Sequence, residues 1–316
     1  MSKIFEALKK TGGEVAEVAL PLVSGNEPQL GGADVVENIL RETDAAGKPE
    51  MASPLLRDLP PVFVDIAPDP EAAAHINGAA TVLGMRTVSI QLSADSPVLP
   101  FDSEHQRAGE QYRMARTKLI HHPRQPRLIV ISSAGSGDGK TVTAINLAGA
   151  MALKSEAEIL LIDGDLRRAQ IAPLLGIPNT PGLAEVLAGR CQLEDAIVRL
   201  EQFPNLCVLP GGTPTSNPTE LLDSSRWQAL CASVRQQFKF VIFDAPPIAT
   251  VADYDLIQAH CDGVVLAVRP DHTDRKLCLQ ALEIVPKDRL VGVVMNYVRD
   301  WFLWKTQDYY GYGKES

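Results

Sequence analysis

With 316 residues, 45% of them apolar, the chain is long enough for one large domain or two small ones and apolar enough to fill a core. Its formal net charge of −9 excludes a general nucleic-acid binder, which needs a basic footprint. Five cysteines without a C-x-x-C pair predict buried thiols in a reducing cytoplasm, and no apolar run approaches the roughly 18 residues of a membrane-spanning helix.

The first ten residues, Met1 to Lys10, lack the apolar core and cleavage site of a signal peptide. They predict a short amphipathic helix with Ile4, Phe5 and Leu8 on one side, open to a membrane surface, a docking partner or simple fraying. Residues 11–103 are rich in Ala, Pro, Gly and acidic residues, and Pro49, Pro54, Pro60, Pro61, Pro68 and Pro70 interrupt any long element. Together, residues 1–103 read as a linker and weakly ordered arm. Within it, Arg86 to Leu92 alternates as an edge strand does. From Glu104 to Ile120 the spacing turns helical, with Tyr112, Ala115, Leu119 and Ile120 on the apolar face. That helix carries Glu110, Arg113 and Arg116 in E-x-x-R-x-x-R spacing, which suits either an intrahelical ion pair or a contact between molecules.

The rest of the chain is organised around Leu128-Ile-Val-Ile-Ser-Ser-Ala-Gly-Ser-Gly-Asp-Gly-Lys-Thr141, which runs into the helix-forming stretch from Val142 to Leu153. A strand, a glycine-rich turn and a helix opening on Lys-Thr form a phosphate loop. Gly135, Gly137 and Gly139, interleaved with Ser136 and Asp138 in the loop, let backbone N–H groups turn inward, and Val142 continues into the helix. Lys140 can reach the β- and γ-phosphates, and the Thr141 hydroxyl can hold Mg²⁺. Ala134 replaces the first glycine of the usual pattern, which is tolerable while its φ stays negative.

Downstream, the strand Glu158 to Asp163 ends in Asp163, Asp165, Arg167 and Arg168, and Phe240 to Asp244 is a second apolar run closing on a carboxylate. Strand C-termini of a parallel sheet face the ligand crevice, so these aspartates approach the phosphates and suit Mg²⁺. Pro181 to Gly189 and Leu193 to Leu200 predict short helices, Asn205 to Leu209 a strand, and Ser224 to Phe238 a helix. Two more buried strands, Asp262 to Val268 and Leu290 to Asn296, flank a crossover helix from Thr273 to Val285. The alternation gives an α/β fold: a doubly wound, mainly parallel sheet of P-loop NTPase type over residues 104–298. The tail, 299–316, holds Trp301, Trp304, Tyr309, Tyr310 and Tyr312 among glycines that keep it extended.

The altered phosphate loop, the Asp163-x-Asp165-x-Arg167 strand, the Asp244-x-Pro246 strand, the E-x-x-R-x-x-R helix and the tyrosine tail together resemble the bacterial tyrosine kinases, in particular the cytoplasmic autokinases of capsule and exopolysaccharide synthesis. The resemblance covers about two thirds of the chain. It implies ATP and Mg²⁺, with Lys140, Arg167 and the loop residues on the nucleotide and Thr141, Asp163 and Asp244 around the metal. Asp163 or Asp165 would accept the tyrosine proton, and Asn296 would read the adenine. Tyr309, Tyr310 and Tyr312 would be the phosphate acceptors. Glu110, Arg113 and Arg116 would join subunits into a ring, in which the tail of one subunit reaches the crevice of the next.

The resemblance also implies a separate transmembrane polysaccharide co-polymerase as adaptor, holding the kinase at the inner face of the membrane. Ser136 and Asp138 depart from the Pro and Glu that the family often has there. Two other functions fit parts of the pattern. A deviant-Walker switch ATPase shares the fold and aspartates but needs neither the tail tyrosines nor the E-x-x-R-x-x-R helix. A nucleotide-gated scaffold would use the aromatic tail only for docking.

Overall fold

A computed structural model describes residues 17–19, 85–93, 96–102, 105–154, 158–270 and 272–297, which all fall in one compact unit. The Met1–Lys10 segment and the tail tyrosines lie outside the described residues.

Four segments whose β-branched and leucine content suits a sheet buried on both faces make its centre. They are β3 (Leu128–Ser133), β4 (Ile159–Asp163), β7 (Phe240–Asp244) and β8 (Gly263–Val268). With β1 (Glu17–Ala19), β2 (Arg86–Val88), β5 (Val198–Leu200), β6 (Phe203–Leu209) and β9 (Leu290–Met295), they form one sheet in the order β1-β9-β8-β3-β7-β4-β6-β5-β2. Every pairing is parallel except β5 with β6. The sequence expectation of a mainly parallel, doubly wound sheet holds. Arg86–Val88 lies at the sheet edge, as the alternation predicted.

Alternation along each strand sends side chains to opposite layers. In β4, Leu160 and Ile162 enter one apolar cluster, and Ile159 and Leu161 the other. The first cluster is covered by α4 (Leu183–Leu187), α5 (Leu193–Ala196), α7 (Ser225–Gln237), α8 (Asp253–Gln258) and α9 (Arg275–Ile284). The second is covered by α1 (Gln106–Ile120), α2 (Lys140–Ala152) and α3 (Ile171–Leu175). A short helix, α6 (Pro218–Leu222), follows the turn-rich segment after β6. Full burial of each Leu, Ile or Val in these layers contributes about 1.5–3 kcal/mol.

Helix α2 has to be apolar almost all round, because α1 lies over it while the sheet lies beneath. Ala144, Ile145, Leu147, Ala148 and Met151 are all buried. Its buried polar side chains are used; that of Asn146 ties down the chain before α1, its Oδ1 accepting the Leu99 N–H at 2.6 Å and its Nδ2 donating to the Pro97 carbonyl at 3.0 Å. Residues Pro97–Phe101, which composition places in the arm, are thereby laid against α1 and α2, with Val98 and Leu99 buried. One local expectation is corrected. The helix predicted through Leu200 ends at Ala196, and Val198–Leu200 pairs antiparallel with β6.

Candidate active site

The loop from Ala134 to Gly139 connects β3 to α2 at the C-terminal edge of the sheet. Gly137 and Gly139 have φ of +85° and +86°, a region where a Cβ clashes, so the loop's two tightest bends fall where glycine is found. Gly139 is also the N-cap of α2. The N–H groups opening that helix lack intrahelical acceptors and, with the helix dipole, form an anion cradle.

Asp163 and Asp244 stand opposite each other in register at the ends of β4 and β7. Gly164 makes this approach possible: it donates to the Asp244 carbonyl at 2.8 Å, and a Cβ there would sit 3.0 Å from that oxygen. Asp163, Asp165 and Asp244 are all buried. Lys140 crosses from α2 to meet them, with Nζ 2.9 Å from Asp165 Oδ2 and 3.4 Å from Asp244 Oδ1. Asp163 Oδ2 accepts the N–H groups of Gln170 and Ile171, each at 2.9 Å. That leaves Asp163 Oδ1 and Asp244 Oδ2 buried without a hydrogen-bond partner.

Such crowding has titration consequences. Burial, then the facing Asp244, pushes the Asp163 carboxyl up to about 8. Burial also raises Asp244, against the opposing pull of Lys140 and the Thr141 hydroxyl. Lys140 loses some basicity to burial but gains more from Asp244, Asp165 and Asp163, so it stays firmly protonated.

Two buried, unpartnered carboxylate oxygens beside a hydroxyl and an anion cradle fit an oxygen-coordinated divalent cation. Among the described residues, no three His, Cys, Asp or Glu form a protein-only metal cage. Mg²⁺ does not require one, since it takes one or two carboxylates and completes its shell with waters and substrate phosphates.

The remaining residues picked out by sequence sit as follows. Ser136 is held by His272, whose Nε2 donates to the Ser136 carbonyl at 3.1 Å. Asp138 is turned into the protein, and Val142 is half-buried on α2. Asn296 donates through Nδ2 to the Asp138 carbonyl at 2.7 Å and to Thr143 Oγ1 at 3.0 Å, which engages both amide hydrogens inside the protein. Arg167 pairs with Asp253 at 2.7 Å and donates to Thr219 at 2.9 Å, which orients it toward α6 and α8. On α1, Glu110 and Arg113 form an exposed pair at 3.2 Å, while Arg116 donates to the Ala150 carbonyl of α2 at 2.9 Å. Thr273, His272, Thr143 and Asp253 were not singled out by sequence, because each acts through a partner far away in the chain.

This phosphate loop, set on a parallel sheet with carboxylates on two neighbouring strands, defines a P-loop nucleotide-handling domain. A family model described as "AAA domain" matches residues 126–277. The tyrosine-protein kinase YwqD of Bacillus subtilis (strain 168) is 36% identical over 212 residues, covering 66% of this chain and 87% of that protein. The tyrosine-protein kinase CpsD of Streptococcus agalactiae is 29% identical over 210 residues, covering 66% and 90%. Among solved structures, the chimerical protein CapA2B2 superposes with a TM-score of 0.61 at 29% identity, over 67% of this chain and 93% of that one. The kinase domain of Escherichia coli tyrosine kinase ETK gives 0.59 at 27% identity, over 68% and 84%. The chain belongs to the bacterial tyrosine-protein kinases, and its activity is that of a protein-tyrosine kinase.

Proposed function

We propose that the crevice at the ends of β3, β4 and β7 binds ATP with Mg²⁺ and transfers the γ-phosphoryl group to tyrosines of a neighbouring copy's tail. The observation that carries this reading is the convergence of Lys140, Asp163, Asp165 and Asp244, with two carboxylate oxygens left unpartnered. The amides from Ser136 to Val142 and the Lys140 ammonium hold the phosphates, while the Gly135 N–H closes the loop on Asp138. Thr141, Asp163 and Asp244 hold the metal, which when bound neutralises charge on the phosphate oxygens.

The acceptor oxygen of Tyr309, Tyr310 or Tyr312 forms the new P–O bond in line as the bond to ADP breaks. Its proton passes to Asp163 or Asp165. Asn296 shapes the nucleotide side of the loop through its bonds to Asp138 and Thr143. Arg167 orders the crevice wall through Asp253.

The last described residue, Tyr297, follows directly on Asn296, which bonds to the phosphate loop at Asp138. Self-association uses the exposed Glu110–Arg113 face of α1, with Arg116 fixing that helix on α2. Among the described residues no helix is long and apolar enough to cross a membrane. A separate transmembrane polysaccharide co-polymerase would bring the kinase to the inner membrane face, where it regulates exopolysaccharide or capsule synthesis.

Intact mass after incubation with Mg-ATP tests the reading. The wild type should gain phosphoryl-sized steps. Asp163→Asn and the Tyr309/Tyr310/Tyr312→Phe variant should gain none. Steady ADP release with no mass gain would point instead to a switch ATPase.

A further inference from the structure

The phosphate loop contains a carboxylate, which is an awkward group to keep beside an anion site. Asp138 sits between Gly137 and Gly139, in the very turn whose amides face the phosphates, yet it is only 1% exposed. Its two oxygens are both engaged. Oδ2 accepts the Gly135 N–H at 3.0 Å, closing the loop on itself, and Oδ1 accepts the Thr273 hydroxyl at 2.7 Å.

Thr273 lies in the connection between β8 and α9 and is itself buried. Its hydroxyl oxygen receives the Arg269 N–H at 2.8 Å. A hydroxyl has one hydrogen, and with Arg269 donating in, that hydrogen is directed at Asp138. The same connection holds the loop a second time through His272 on the Ser136 carbonyl at 3.1 Å.

We propose that Thr273 is a positioning residue for nucleotide binding: it ties the Asp138 carboxylate back into the protein, so that the loop presents its amides and not a negative charge to the phosphates. The inference rests on the proposed nucleotide site. Without Thr273, Asp138 keeps only the Gly135 bond and gains freedom to turn toward the anion cradle. A charge released within several ångströms of a polyphosphate weakens binding on the order of tenfold, and more at low ionic strength.

Titration calorimetry of Mg-ADP into the full chain at low and high salt provides the test. Thr273→Val should raise Kd on the order of tenfold, with the larger increase at low salt. It should raise KM for ATP while leaving kcat at saturation near the wild-type value. Thr273→Ser keeps the donor and should bind as the wild type does. Adding Asp138→Asn to Thr273→Val removes the released charge and should restore affinity. A wild-type Kd for Thr273→Val overturns the proposal, and so does a double variant that binds more weakly still. Thr273→Ala removes the same donor and replaces the Val variant if that one does not fold. Lys140→Ala serves as control: if it still binds Mg-ADP, the nucleotide site itself is misplaced, whereas failure of the Thr273 series alone sinks only this inference.

Discussion

The bodies of β4 and β7 and their C-terminal ends are equally dry and chemically opposite. In β4, Ile159 to Ile162 are all fully buried and apolar, and the next residue, Asp163, is a fully buried carboxyl group. In β7 the same step separates Phe243 from Asp244. The strand bodies gain stability from burial, while the strand ends lose it by desolvating carboxylates that repel one another. Stability and chemistry are thus separated along a single strand by one peptide unit.

Removing Lys140, the cation that meets Asp165 and Asp244, should have the largest effect. Lys140→Ala leaves three buried aspartates without a counter-charge and the cradle without its ammonium. Autophosphorylation measured by mass should fall by about a thousandfold or more. Chemical denaturation should show a loss of about 3–5 kcal/mol, as when one partner of a buried ion pair is deleted. A variant that stays as stable as wild type would mean that the carboxylates do not depend on Lys140.

A cut in the strand body should separate the two properties. Leu161→Ala empties a fully buried site on the α2 side of β4 and should cost about 2–5 kcal/mol in urea denaturation. Below its melting range, the specific activity of the folded protein should stay within about twofold of wild type, since Leu161 touches none of the site's charges. A drop in activity as large as that of Lys140→Ala would erase the distinction between body and edge.

The division also explains what the sequence disclosed. Lys140, Thr141, Asp163 and Asp244 each follow directly on an apolar strand or glycine turn, so strand direction alone places them at one edge. The doubly wound sheet was legible for the same reason, in runs such as Leu128–Ile131 that are too apolar for any exposed element. Contacts such as Thr273 to Asp138, Asn296 to Asp138 and Arg167 to Asp253 join residues far apart in the chain, and no local pattern reports them. Val198–Leu200 was read as helix because its strand character comes from pairing with β6, not from its own three residues.

The edge should also titrate where the body cannot. With the Asp163 carboxyl raised to about 8, a proton competes with any cation that binds there. Mg²⁺ affinity should therefore rise with pH up to about 8, by at most about tenfold per unit, and then level off. In Asp163→Asn that slope should vanish. A flat profile in the wild type would show that Asp163 is already ionised at neutral pH.

The smallest effect has the most telling sign. A carboxyl at about 8 in the folded protein and 3.8 in the unfolded chain holds its proton more tightly when folded. Its stabilising contribution is complete below pH ~4 and is lost as pH rises through about 8. Wild-type stability should therefore decline across that window. Asp163→Asn removes the titration and the buried charge but keeps an oxygen for the Gln170 and Ile171 N–H groups. At pH 9 and without nucleotide or metal, the variant should melt a few degrees higher than wild type, about 1–2 kcal/mol, while being inactive as a kinase. The difference should shrink as pH falls toward 4. A variant that melts lower than wild type at pH 9 would mean that the strand ends, like the strand bodies, are built for stability.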